Sequence, residues 1–164
     1  MKKLFIVLML LLVSACTGTS TPETNTTENL FDKTEYVNLT FEEYEAALEN
    51  KVDGVYYFSW VEGCGDSRNL QKNYLGELLV NQPELAENLY VIDLDIENPE
   101  GLADHEKREP MKEKYGVFYS PTLFIVKDGV VIEEISWTPI TSDANTAIPV
   151  ADLDAFFAKT GYIK

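Results

Sequence analysis

The chain has 164 residues, enough for one domain with a substantial core. Asp and Glu number 28 against 13 Lys and Arg, a formal charge of −15, and this excludes nucleic-acid binding built on clustered positive charge. A hydrophobic content of 45% with 12% aromatic excludes an acidic disordered chain, which lacks the apolar surface to offset chain entropy. Cysteine occurs twice, at Cys16 and Cys64, so at most one internal disulfide can form.

Residues 1–15 read as a secretory signal peptide: Lys2 and Lys3, an apolar run from Leu4 to Val13, then Ser14 and Ala15. The run is too short for a membrane span, which needs about 20 residues. Val13-Ser14-Ala15-Cys16 resembles the bacterial lipobox. That resemblance implies cleavage before Cys16 and a diacylglycerol anchor, of the palmitate type, on its sulfur. Two acyl chains hold a protein stably at a membrane, and an acylated Cys16 has no thiol left for a disulfide. The expectation is a lipoprotein of the cell membrane, anchored on the extracytoplasmic face in the envelope of a Gram-positive bacterium. An ordinary cleaved signal, with Cys16 incidental, is the alternative.

Residues 16–35 comprise Cys16 and a stretch rich in Thr, Ser, Asn and Glu, read as a flexible tether spanning on the order of 25 Å. Residues 36–164 form the expected domain. Thr40 is placed to cap a helix, with Glu43 as its capping-box partner and Phe41, Tyr44, Ala47 and Leu48 on one face. Asp53-Gly54 ends that segment, and Val55 to Trp60 has the aromatic and β-branched content of a buried strand. A helix is predicted from about Asp66, with Leu70, Tyr74, Leu75, Leu78 and Leu79 inward and Pro83 marking its end or a kink.

Leu89 to Ile96 reads as a strand buried on both faces. After the acidic stretch Glu97 to Glu109, Pro110 to Tyr115 predicts a short helix closed by Gly116. Thr122 to Lys127 and Val130 to Ser136 read as strands joined by the two-residue turn Asp128-Gly129. Val150 to Thr160 predicts a last helix burying Leu153, Phe156 and Phe157. This order specifies a three-layer α/β domain ending in an antiparallel hairpin.

Asp93-Leu94-Asp95, Asn98-Pro99-Glu100, Lys114-Tyr115-Gly116-Val117, Ser120-Pro121-Thr122-Leu123 and Lys127-Asp128-Gly129 follow the order found in thioredoxins. Tyr57 to Ser67, YFSWVEGCGDS, sits where thioredoxins carry Trp-Cys-Gly-Pro-Cys at a strand-to-helix turn. Residues 36–164 therefore resemble a thioredoxin-like domain, which implies a central mixed sheet flanked by helices. The resemblance also implies that Cys64 is the nucleophile at a helix N-terminus, where backbone N–H groups favour a thiolate. It implies further that Ser120-Pro121 faces Cys64, with Pro121 in the cis form.

The departures from the family pattern carry as much information. Ser67 stands where the second cysteine belongs, giving a monothiol Cys-Gly-Asp-Ser segment with no internal resolving thiol. Gly65 is retained, whereas Asp66 replaces a frequent proline and its carboxylate opposes thiolate formation. Phe58 stands in place of the family's buried acid. Trp60 is expected to shield the site or to form part of a rim for partners.

Three readings follow. In the first, Cys64 exchanges disulfides, isomerises or senses oxidation as a single thiol, its partners being extracytoplasmic protein thiols or disulfides and an external resolving thiol. In the second, the domain is a redox-inactive binding or accessory module, similar to bacteriocin-transport accessory factors. In the third, Ser67 is an introduced trap for a mixed disulfide. None calls for a cofactor, and one His with one free Cys makes no metal cluster. His105 is expected to be a solvated loop residue, and Asp93 and Asp95 to be strand-end structure. The loop 138–149 carries no functional signal.

Overall fold

The computed structural model describes residues 36–163, so the expected signal peptide, the lipidation of Cys16 and the tether lie outside the described residues. Thr40 caps α1 (Phe41–Glu49) as expected: its Oγ1 accepts from the Glu43 backbone N–H at 3.2 Å, and the Glu43 carboxylate accepts from the Thr40 N–H at 2.8 Å. The helix stops at Asn50, earlier than the Asp53-Gly54 pair, and Gly54 already belongs to the next strand.

Five strands form one sheet in the order β1-β3-β2-β4-β5. These are β1 (Val37–Asn38), β2 (Gly54–Ser59), β3 (Leu89–Asp93), β4 (Thr122–Lys127) and β5 (Val130–Ser136). β1, β3 and β2 run parallel, while β4 is antiparallel to β2 and β5 antiparallel to β4. The two-residue β1 was not expected, because Val37 and Asn38 are exposed at the sheet edge and show no alternating pattern. Asp128 and Gly129 both adopt positive φ, the conformation the two-residue hairpin requires.

β2 is buried along its whole length and feeds both layers. Val55 and Tyr57 join one core with Leu70, Leu75 and Leu79 and with Leu153, Phe156 and Phe157. Tyr56 and Phe58 join the other with Tyr44, Met111, Phe124 and Val126. The architecture is a mixed five-stranded sheet with helices on both faces, as the sequence predicts.

The helix expected from Asp66 begins one residue earlier, as α2 (Gly65–Leu70). It continues through a π turn at Gln71–Leu75 into α3 (Gly76–Asn81). Leu70, Leu75 and Leu79 are buried, but Tyr74 and Leu78 are only partly so. Pro83 opens a separate helix, α4 (Pro83–Glu87), as its first residue, where a missing N–H costs nothing.

β3 is shorter than predicted. It ends at Asp93, whose carboxylate accepts from the Asp95 N–H at 2.9 Å and caps the short helix α5 (Leu94–Glu97). The apolar Leu94 and Ile96 look like strand continuation, but the local Asp93 cap wins. The acidic stretch that follows holds two 3₁₀ turns, Pro99–Leu102 and His105–Arg108, before α6 (Glu109–Tyr115). Gly116 ends α6 at φ 78°, the left-handed cap the sequence calls for. The last helix, α7 (Val150–Ala158), stops two residues before the predicted Thr160. Among the described residues no helix is long and apolar enough to cross a membrane.

Candidate functional site

Cys64 occupies the N-cap of α2, in extended conformation at φ −91° and ψ 125°. Its backbone N–H donates to the Trp60 carbonyl at 3.0 Å, and its carbonyl accepts from the Arg68 N–H at 3.1 Å. The β2–α2 turn is therefore pinned on both sides of the thiol. Sγ is half-buried and donates to the Ser120 carbonyl at 3.7 Å. The Ser120-Pro121 peptide is cis, as the resemblance implies.

Ser67, one turn into α2, is completely buried. Its Oγ lies 2.9 Å from the Ser120 Oγ, and the Ser120 Oγ also accepts from the Trp60 backbone N–H at 3.2 Å. The structure thus gathers Cys64, Ser67, Ser120 and Pro121 at one place. Gly65 and Asp66 form the first turn of α2 beside them. Burial pushes the Asp66 carboxyl above the ordinary carboxylate range.

Of the two parts expected of Trp60, shielding the site or forming a rim for partners, its burial closes the second. It is 1% exposed and lies behind the site, its indole N–H donating to the Asn98 carbonyl at 2.9 Å. β2 delivers it to the same layer as Tyr56 and Phe58 because side chains on a strand alternate. It supports the turn and cannot meet a partner directly. Phe58 is likewise buried, edge-on to Tyr44 at 5.0 Å, so no acid lies beneath Cys64 from this strand.

Sequence reasoning missed three groups around the turn. Asp95 Oδ2 accepts from the backbone N–H groups of Glu62 at 2.8 Å and Gly63 at 3.3 Å, holding the loop that presents Cys64. Gly63 permits this close approach, since a Cβ there would lie 2.6 Å from the Asp95 carboxylate. The Asp-Leu-Asp string signals Asp95, but its partners become visible only when the strand ends at Asp93.

The second missed group is a buried polar cluster on the opposite face of β2. The Gln71 side-chain amide donates to the Tyr57 hydroxyl at 3.1 Å and to the Val61 carbonyl at 3.4 Å. Burial pushes the Tyr57 hydroxyl up to about 12, against the pull of neighbouring Gln71 and Ser67. Ser59, fully buried beside it, holds its hydroxyl close to Tyr57 but outside hydrogen-bond geometry.

Arg108 is the third. The charged run Asp104 to Glu109 reads as solvated, yet Arg108 is 8% exposed and turned inward. Its Nε donates to Gly101 O at 2.5 Å, Nη2 to Leu102 O at 3.0 Å and Nη1 to Phe118 O at 3.3 Å. The guanidinium lies 4.7 Å from the Trp60 ring centroid. Burial lowers its pKa, and the negative forms of Cys64 and Tyr119 raise it back. His105 is exposed, edge-on to Phe118 at 5.8 Å, and makes no hydrogen bond with Cys64. Among the described residues no three His, Cys, Asp or Glu side chains are grouped to hold a metal ion.

The 138–149 loop has a structural part. Asp143 accepts from the Asn145 and Thr146 N–H groups at 2.8 and 3.0 Å, while Ala147 and Ile148 enter the core. Asn69 and Asn73 donate to the carbonyls of Ala144 and Asn145, tying the loop to the helix behind Cys64.

With this geometry the chain is similar to thioredoxin O2 from Arabidopsis thaliana in its oxidised state, at 25% identity and a TM-score of 0.50, covering 80% of this chain and 97% of that one. The fold is thioredoxin-like. Mitochondrial thioredoxin 3 of Saccharomyces cerevisiae matches at 19% identity and a TM-score of 0.50, over 79% of this chain and 98% of that one. Thioredoxin f2 of Chlamydomonas reinhardtii matches at 13% identity and a TM-score of 0.51, over 79% and 100%. No family model and no curated protein matches the chain. In this thioredoxin-like frame Cys64 caps the helix that follows the central strand β2, and Ser67 lies within α2.

Proposed function

We propose that the chain is a lipid-anchored extracytoplasmic thioredoxin-like protein whose Cys64 exchanges disulfides as a single thiol. The observation that carries this reading is the placement of Cys64 Sγ at the cap of α2 against the carbonyl that precedes cis Pro121. The similarity to thioredoxins supports redox chemistry at that position. The lipobox-like Val13-Ser14-Ala15-Cys16 supports the anchor.

The step balances simply. Cys64 gives its proton to solvent, and its sulfur bonds to one sulfur of a partner disulfide. The partner S–S bond breaks, and the other half leaves as a thiolate. With Ser67 in the pocket the mixed disulfide persists until an external thiol attacks it and regenerates Cys64.

The test is intact-mass measurement of the purified chain after exposure to a small disulfide. In a Cys16→Ser background, which leaves one thiol, one adduct is expected, absent when Cys64→Ala is added and released by added thiol. Folded protein that forms no adduct defeats this reading and favours the binding module. The anchor is tested separately by fatty-acid labelling in cells, which Cys16→Ser must abolish.

A further inference from the structure

The chain has two arginines among its 13 basic residues, and both guanidinium groups lie against the loop that carries Cys64. Arg68 is exposed on α2 and turns back so that Nη1 donates to the Glu62 carbonyl. Its Nη2 stands 3.8 Å from where a side chain on Gly65 would begin. Arg108 is buried over the Trp60 ring and holds the Phe118 carbonyl of the segment that leads to Ser120 and Pro121.

Among the described residues, every hydrogen bond made by these two side chains goes to a backbone carbonyl. Among the described residues neither arginine forms an ion pair, whereas Lys107, Lys112, Lys114 and Lys159 do. Carbonyl dipoles orient a guanidinium without cancelling its charge. Among the described residues, then, two cations with no carboxylate ion pair stand at the loop that carries the thiol, in a chain whose net charge is −15.

Three carboxylates near the same loop oppose the two cations, although among the described residues none forms an ion pair with either guanidinium. Asp95 is oriented by the Glu62 and Gly63 N–H groups and keeps its charge, as the guanidinium groups do. Asp66, half-buried in the first turn of α2, places a carboxylate two residues from the thiol. Glu62 is exposed, so water and salt screen it.

We infer that the Cys64 site selects sulfur partners carrying negative charge beside the sulfur, a carboxylate-bearing disulfide class, with Arg68 and Arg108 as the specificity-determining cations. This rests on the reading of Cys64 as an exchanging thiol. When Cys64 sulfur attacks such a disulfide, one S–S bond forms and one breaks. Cys64 is oxidised, and the leaving half takes the electron pair as a thiolate. The two cations favour the approach of the partner's carboxylate and the charge that develops on the departing sulfur. Arg108, out of water, acts with little screening, whereas Arg68 is salt-sensitive.

The experiment compares rates of mixed-disulfide formation on the full chain in detergent, using three probes of similar size. These are the disulfide of mercaptopropionate, which is anionic, cystamine, which is cationic, and hydroxyethyl disulfide, which is neutral. The expected result, after each rate is divided by that of the same disulfide with mercaptoethanol to remove differences in leaving-thiol pKa, is an anionic-to-cationic ratio of roughly ten, against the overall negative charge of the chain. The ratio falls several-fold in Arg68→Met and in Arg108→Met, and Arg68→Lys keeps most of it. A purely structural role for the arginines changes all three rates together and leaves the ratio alone.

Added salt must compress the wild-type ratio, and this readout stands even if Arg108→Met fails to fold. A wild-type ratio at or below one overturns the proposal, as does a ratio unmoved in the folded Met variants. Lack of reaction with the neutral disulfide overturns the reading of Cys64 itself, so the two failures are distinguishable.

Discussion

The hydroxyls of Ser67 and Ser120 lie 2.9 Å apart, both in fully or nearly fully buried side chains, immediately behind Cys64. A second thiol at position 67 would face the same wall. The pocket thus retains room for a resolving group and fills it with a hydroxyl that cannot carry a disulfide. Ser67→Cys is expected to form an internal disulfide with Cys64 on oxidation and to release bound partners without added thiol. Intact-mass analysis of the adduct with time reads both effects. Ser67→Ala is expected to cost about 1–2 kcal/mol, because the Ser120 hydroxyl keeps its bond from Trp60 and loses only one partner. Urea denaturation measures that cost, and an adduct on Ser67→Cys as long-lived as on the wild type would contradict the pocket argument.

Asp95 ties two backbone N–H groups of the loop before Cys64, both bonds assisted by its charge. Asp95→Ala leaves the Glu62 and Gly63 N–H groups to water and is expected to cost about 1–3 kcal/mol. The local consequence is the sharper one. Hydrogen exchange at Glu62 and Gly63 should accelerate well beyond that at Tyr57 or Phe58, which sit in the central strand. Equal acceleration at all four amides would mean that Asp95 supports the whole fold rather than the loop.

The elements legible in the sequence are those whose signals are local. The Thr40 and Glu43 pair, the Asp128-Gly129 turn and Gly116 each fix backbone geometry within a few residues, and each stands where it was read. The β3 boundary is hidden in the sequence because Leu94 and Ile96 continue an apolar run, while the deciding interaction is one bond that the Asp93 carboxylate accepts from the Asp95 N–H. Arg108 was invisible for a different reason. It sits within Asp104 to Glu109, whose composition is that of a solvated face, and its burial depends on carbonyls supplied by Gly101, Leu102 and Phe118. For Trp60 the sequence leaves shielding and a rim both open, and the choice follows from the strand register that places it with Tyr56 and Phe58.

Trp60 joins three parts of the domain: its backbone N–H reaches Ser120, its indole N–H reaches Asn98, and its ring underlies Arg108. Trp60→Phe keeps the backbone bond, removes the indole donor and leaves a void beneath the guanidinium. A loss of about 2–3 kcal/mol is expected, from an unpaired carbonyl plus lost packing. The measurement is the urea midpoint. Because the ring also positions Arg108, the variant should narrow the preference for anionic over cationic disulfides, a readout that loss of stability alone would leave unchanged.

Asp66 gives a pH-dependent prediction next to the thiol. Burial raises its carboxyl above the value it has in the unfolded chain, so the folded state resists its ionisation. Above the raised value the carboxylate is charged in both states, and the folded state carries the desolvation penalty. Stability relative to a neutral side chain therefore improves as pH falls through the folded value. It levels off below the unfolded value of about 3.9, where the group is protonated in both states. Asp66→Asn is accordingly expected to be more stable than the wild type at neutral pH, with the two urea midpoints converging in acid. At neutral pH the variant should also be alkylated faster at Cys64, since a carboxylate two residues away no longer opposes the thiolate. A variant less stable than the wild type at neutral pH would show that the Asp66 carboxylate is held by favourable interactions that outweigh its burial.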